Sequence, residues 1–265
     1  MQALRRGRLY AAMVMLAALC LGVQVQASVD SVTVEQLDFK NVPITVVTVD
    51  LHQADLRLFW RDPQGQGYRR VDRLREEMAQ QGLYLRFAMN AGMYHADRTP
   101  VGLLVMDGRV LSPLNADEGF GNFFLLPNGV WAIDQRGRSH ILPTAQVSPA
   151  KIAEWRWATQ SGPMLLINGE IHAAFQPHST SRKIRNAVGQ LDDQRLVLVI
   201  SEAPINFYDF ALFFREILGV KNALYLDGSI SSLYDAHSRR MDWRDDLGVM
   251  LGVVELAEPS QLVTE

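Results

Sequence analysis

Cysteine is nearly absent: Cys20 is the only one in 265 residues, and it lies inside an apolar N-terminal run. Residues beyond that run hold no disulfide framework, no thiolate zinc site and no cysteine nucleophile. His52, His95, His140, His172, His178 and His237 fall into no ligand spacing such as H-E-x-x-H. The chain also lacks a P-loop, a dinucleotide fingerprint, internal repeats, low-complexity stretches and long linkers. The sequence therefore requires no cofactor. A divalent cation held by a lone carboxylate stays open.

Positive charge is in short supply once the N-terminus is set aside. Arg5, Arg6 and Arg8 precede an apolar or small run from Ala11 to Val23, and Val25, Gln26 and Ala27 offer a cleavage site before Ser28. This is the pattern of a secretory signal. The run is shorter than the roughly 20 residues of a spanning helix, and Leu19 stands before Cys20, where lipidation wants a small residue. We expect a signal peptide over residues 1–27, one domain over residues 28–265, and a periplasmic or secreted product with no membrane span. Without the three leader arginines, the 26 Lys and Arg become 23 against 29 acidic side chains, a net charge of −6. That balance argues against nucleic acid as a partner, which needs a basic footprint. It leaves room for one local cationic pocket.

What is present is ordinary globular composition, 48% hydrophobic and 21% charged, enough for a sizeable core. The β-branched stretch 44–51 reads as a strand with 57–60 as its partner. The lead-in 28–40 gives little signal. Tyr68, Val71, Leu74 and Met78 at helical spacing predict an amphipathic helix over 68–81, stopped by Gly82. Residues 83–89 alternate as a strand ending at Asn90. Asp107-Gly108, Asn128-Gly129 and Asn168-Gly169 sit between apolar runs, and such pairs suit tight hairpin turns. Ser148 and Pro149 predict a capped short helix to about Trp155. Residues 195–201 read as a buried strand, Asn206 as the cap of a helix over 207–218, 223–226 as a strand ending at Asp227, and 249–254 as a last strand. Hairpins between two strand–helix–strand stretches predict an α+β domain with mixed, largely antiparallel sheets flanked by a few helices.

Four polar or glycine-rich clusters fall where predicted strands end, where rigid elements hold functional loops. Residues 90–94 offer Gly92 for close backbone approach and Asn90 for a sugar hydroxyl. Residues 160–163 offer Ser161 as a donor to an anionic oxygen beside free backbone N–H groups, with Gly162 after it; lacking glycines two residues to either side, this is no nucleophile elbow. Residues 181–189 gather Arg182, Lys183 and Arg185 in an otherwise acidic chain. Arg185 borders the strand and is the better phosphate fork. Residues 226–232 put the carboxylate of Asp227 at a strand end before Gly228 and hydroxyls such as Ser231, an acid/base or metal-binding corner. Each cluster, taken singly, also reads as an ordinary turn, bulge or solvated loop. Among the histidines, only His95 adjoins a cluster.

Together and in this order, the clusters resemble the phosphodiester glycosidase domain family. The resemblance is carried by FAMNAGMY (87–94), GNFFLLPNG (121–129), QSGPMLLINGEI (160–171), SRKIRNAVG (181–189) and NALYLDGSISSLY (222–234), and it spans residues 46–254. It is most similar to the bacterial exported branch. Asn90 and Gly92 match the family's strand-end Asn-Gly-Gly loop, and Ser161 and Gly162 its Ser-Gly-Pro turn. Arg185 and Gly189 match its Arg-Thr-Ala-Ile-Gly segment, and Asp227 and Gly228 its Leu-Asp-Gly-Gly-Gly-Ser corner. The chain departs from the pattern at Ala91, at Asn186 where threonine is common, and at Ser229 and Ile230, which replace two glycines. Ile230 is expected to narrow the backbone path beside Asp227.

The resemblance implies cleavage of a sugar-1-phosphodiester, on a small molecule or an envelope glycan, to a free sugar and a phosphomonoester. Such a leaving group needs positive charge and N–H donors more than protonation. Arg185, helped by Ser161, would hold the phosphate. Asp227 would act as base for water or as nucleophile, and Asn90 would orient the sugar. Asp97, Asp117 and Glu118 are candidates for a second carboxyl group. A phosphodiesterase breaking P–O, or a non-catalytic binder of envelope glycans or sugar phosphates, remains the alternative.

Overall fold

The strongest period-two patterns of the chain build its largest sheet. Ile44 and Val46 alternate with Val47 and Val49, Val197 and Val199 with Leu196, Leu198 and Ile200, and Ala223 and Tyr225 with Leu224 and Leu226; all are buried. Successive side chains leave a strand on opposite faces, so these strands need cover on both sides. The first set in each pair packs in one cluster with Phe210, Phe213 and Phe214. The second set faces a core shared with two other sheets.

The structure is a computed structural model and describes residues 30–228, 230–242 and 245–258. The expected leader and Ser229 lie outside the described residues. The helices are α1 (Val71–Gln80), α2 (Pro149–Glu154) and α3 (Phe207–Glu216). The seven-stranded sheet runs Val32–Phe39, Val42–Asp50, Arg195–Ser201, Asn186–Gln190, Asn222–Asp227, Met164–Ile167, Glu170–Ile171. A five-stranded sheet runs Arg240–Met241, Leu233–Asp235, Leu83–Asn90, Met250–Leu256, Asp55–Phe59, and α1 lays Val71, Leu74 and Met78 on it. Another runs Arg109–Ser112, Leu104–Met106, Trp155–Ser161, Gly129–Asp134, Ser139–Pro143. Each pairing among the described strands is antiparallel. The α+β class is as expected. Val47 and Leu198, Phe87 and Met89, and Trp131 and Trp157 bring all three sheets into one core.

Local signals place the elements well. Ser148 Oγ accepts the Lys151 N–H at 3.3 Å, and Asn206 Oδ1 accepts the Asp209 N–H at 2.7 Å, capping α2 and α3. Asp107-Gly108 and Asn168-Gly169 turn hairpins with positive φ at both residues. Asn128-Gly129 does not. Asn128 is buried and donates to the Phe123 carbonyl at 2.9 Å, while Gly129 already opens a strand. The strand expected at 57–60 pairs with Met250–Leu256 rather than with Val42–Asp50. The lead-in becomes strand Val32–Phe39, hairpinned to its neighbour through Lys40 and Asn41 at φ 51 and 62.

Candidate active site

The ends of three strands, one from each sheet, meet at one place. Asn90 closes its strand in the α1-covered sheet, Ser161 its strand in the third sheet, and Asp227 its strand in the seven-stranded sheet. Polar side chains tie these ends together. Asn186 Nδ2 donates to Asn90 Oδ1 and to the Asn90 carbonyl, both at 3.0 Å, and Asn90 Oδ1 also accepts the Ser232 N–H at 3.0 Å. Ser231 Oγ reaches Asn186 Oδ1 at 3.3 Å and the Gly228 carbonyl at 2.9 Å. Ser161 Oγ donates to the Leu226 carbonyl at 3.0 Å. Asn90, Ser161, Asn186 and Ser231 are each fully buried. The structure therefore corrects two expectations: the Asn90 amide is spent on Asn186 and Ser232 rather than a sugar, and the Ser161 hydroxyl donates its hydrogen bond to the Leu226 carbonyl. These residues form a node that fixes the loops, as a satisfied buried network does.

Arg185 and Asp227 arrive at the same end of one sheet, because Asn186, next to Arg185, stands opposite Asp227 in the ladder. Tyr225 lies two residues before Asp227 across a shift in the ladder register, and the Asp227 charge reaches it. Arg185 is 1% exposed. Its Nε donates to the Ile205 carbonyl at 2.8 Å, Nη2 to the Ser181 carbonyl at 3.1 Å, and Nη1 to the Tyr225 hydroxyl at 3.3 Å. The guanidinium lies 3.7 Å from the centre of the Phe207 ring. No carboxylate pairs with it among the described residues, and burial pulls its pKa down. The open phosphate fork expected from the sequence is thus not available: two of the three nitrogens are bound to carbonyls. The charge reaches the site through Tyr225.

The Tyr225 hydroxyl takes an N–H from Arg185, and the Asn122 side chain bonds it as well. Burial raises its pKa, so the phenol stays protonated. Asp227 is half-buried. Burial pushes its carboxyl up to about 6, against the pull of the Gly228 backbone N–H that it accepts. Tyr94 is pushed up by burial and by the Asp227 charge. Tyr225 is itself 1% exposed, so it acts through its field: a carboxyl poised near neutrality can move a proton, and a cation-backed phenol favours negative charge nearby. No group of three or more His, Cys, Asp or Glu is gathered for a metal among the described residues, and no step below is routed through one.

The glycines serve close approach between strands. A Cβ on Gly228 would meet the Tyr225 hydroxyl, one on Gly162 would sit 2.6 Å from Asn128 Cβ, and one on Gly92 2.9 Å from Thr159 Oγ1. Gly189 lies under the Phe214 ring of α3, where a Cβ would be 2.9 Å from ring carbons; helix packing is what demands it. Ala91 is absorbed in the shared core. Ile230 packs with the cluster under α1, not across the path beside Asp227 as expected. Asp97 accepts from the Thr99 N–H and hydroxyl at 3.0 and 2.6 Å, which holds its carboxyl below the usual range. Asp117 and Glu118 are exposed. Sequence reasoning missed Tyr225 and Asn122: the ladder register shifts between Tyr225 and Asp227, so no simple period links them.

The chain belongs to the phosphodiester glycosidase family, whose model matches residues 84–252. The uncharacterized protein YigE of Escherichia coli (strain K12) is 35% identical over 193 residues, 72% of this chain and 74% of the relative. Among solved structures, the fold is similar to the catalytic domain of zebrafish N-acetylglucosamine-1-phosphodiester alpha-N-acetylglucosaminidase, auto-inhibited by its pro-peptide. That match has TM-score 0.57 and 16% identity, over 84% of this chain and 81% of that one. A Burkholderia pseudomallei K96243 protein named as an exported one gives TM-score 0.53 and 13% identity, over 80% and 74%. Family membership points to hydrolase chemistry of the phosphodiester glycosidase kind. No helix among the described residues is long and apolar enough to cross a membrane.

Proposed function

We propose that the chain is an exported hydrolase that cleaves the glycosidic C–O bond of a sugar-1-phosphodiester. The observation that carries this reading is Asp227 at a strand end, its carboxyl raised to about 6, with its charge felt by Tyr225 and the buried Arg185 bonded to Tyr225. Asp227 takes a proton from water as the water oxygen bonds to the anomeric carbon. The bond from that carbon to the phosphate oxygen breaks, and its electron pair leaves with the phosphomonoester. The departing anion needs little protonation. The Tyr225 hydroxyl, polarised by Arg185, stabilises its growing charge. One carboxyl group suffices for such a leaving group, and Asp97, held ionised by Thr99, is not asked to act as an acid. The leader-like N-terminus and the neighbour named as exported support a periplasmic or secreted location.

The test is turnover of the purified protein on a panel of sugar-1-phosphodiesters in heavy-oxygen water. Label in the released sugar is the expected result. Label in the phosphate means P–O cleavage and overturns the bond assignment. Thermal stabilisation by these compounds without turnover makes the chain a binder instead.

A further inference from the structure

Trp60, Arg61, Arg69, Arg73, Asp97 and Arg98 line a cavity of about 360 Å³. Four lining arginines stand out in a chain where acids outnumber bases. The carboxylates that pair with three of them lie outside the lining. Asp62 holds Arg73 at 2.6 Å, Asp246 holds Arg69 at 3.2 Å and Asp245 holds Arg98 at 3.2 Å, and none of these carboxylates lines the cavity. The one that does, Asp97, is turned into its own loop by Thr99. Arg61 has no carboxylate partner among the described residues and lies over the Trp60 ring at 4.1 Å. Arg98 Nε is buried without a partner.

The more exposed of these pairs, Arg69 with Asp246 and Arg98 with Asp245, are weak, so an incoming oxyanion competes with them on favourable terms. The planar fork of each guanidinium matches carboxylate and phosphate oxygens. Trp60 supplies an apolar floor, and its indole N–H is spent on the Arg98 carbonyl at 3.0 Å. The cavity is linked to the proposed reaction centre through one aromatic ring. Arg98 packs over the Tyr94 ring at 5.1 Å, and Tyr94 in turn feels the Asp227 charge.

We propose that this cavity is an oxyanion subsite, which binds a phosphate or carboxylate carried on the substrate beyond the scissile phosphodiester. The substrate class is then an anionic oligosaccharide or glycan rather than a conjugate with a neutral aglycone. The word substrate rests on the hydrolase reading; the binding does not.

Isothermal titration of the full chain with tripolyphosphate and with trigalacturonate tests it. At least one probe is expected to bind saturably, and the one that does tells phosphate from carboxylate. Affinity should fall roughly tenfold or more in Arg61→Gln and in Arg98→Gln, weaken as salt rises, and stay unchanged in Asp227→Asn. Circular dichroism checks that each variant is folded. No saturable binding of either probe, or equal binding by the Arg61→Gln/Arg98→Gln double variant, overturns the subsite. Because binding is read without turnover, loss of the subsite leaves the hydrolase reading standing, and an inactive protein that binds leaves the subsite standing.

Discussion

At the scale of single residues, Asp227 trades stability for a reactive pKa. Its folded value near 6 lies above the ordinary 3.8. Below pH 3.8 the carboxyl is protonated in both states and costs nothing. As pH rises towards 6 the unfolded chain loses the proton first, so stability falls; above 6 the loss is complete, at most about 3 kcal/mol for a shift of roughly two units. Asp227→Asn should therefore melt higher than wild type at pH 8 and at the same temperature at pH 3.5, while losing turnover. Equal melting at pH 8 in scanning calorimetry would remove the raised pKa. In the wild type, kcat/KM should climb as pH passes through about 6, since the base must be ionised in the free enzyme. Tyr225→Phe removes the acceptor of a buried Arg185 N–H, which costs about 1–3 kcal/mol. It should also cut kcat at least tenfold, because the hydroxyl that carries the Arg185 charge towards the site is then gone. Unchanged kcat in a folded Tyr225→Phe protein would take the phenol out of the chemistry. Asp227 was legible from its strand-end position. The buried state of Asn90 and Ser161 was not, because a one-dimensional string does not say which loop end another will cover.

Elements were legible where their cause is local. Two of the three Asx-Gly pairs turned hairpins because only neighbouring residues decide such a turn. Asn128-Gly129 failed because tertiary contacts claim both residues: the amide is used by Phe123, and a Cβ on Gly129 would fall 2.3 Å from Met164 Sδ. Strand Val32–Phe39 went unread because most of it faces solvent at a sheet edge and keeps no apolar alternation. Gly189 gives this scale its experiment. Within the matched segment it resembles a substrate-loop glycine, yet the strand places it against Phe214 and Val197. Gly189→Ala should push α3 off the sheet and destabilise the fold by about 1–3 kcal/mol in urea titration, with KM unchanged. A raised KM at unchanged stability would return the residue to the binding site.

For the whole molecule, class was readable and pairing was not. Hairpin signals and strand–helix spacing give an α+β domain, but the strand Asp55–Phe59 finds its partner nearly two hundred residues away at Met250–Leu256, and no local pattern encodes that. The same non-local wiring has a thermodynamic consequence. The shared core draws Val47 and Leu198, Phe87 and Met89, and Trp131 and Trp157 from three different sheets, and the node of Asn90, Asn186 and Ser231 spans two of them. Removing one sheet would expose apolar faces on the others at about 25 cal/mol per Å², so partial opening is nearly as unfavourable as full unfolding. A site assembled from three strand ends must then be lost with the whole. We expect urea curves for turnover and for tryptophan fluorescence to share one midpoint, as two-state unfolding requires. Trp131 and Trp157 report from within the shared core, and Trp60 packs against that core while lining the arginine cavity. Inactivation at clearly lower urea than the fluorescence change would mean that the site opens as a separate unit, and the three sheets would have to be treated as weakly coupled layers.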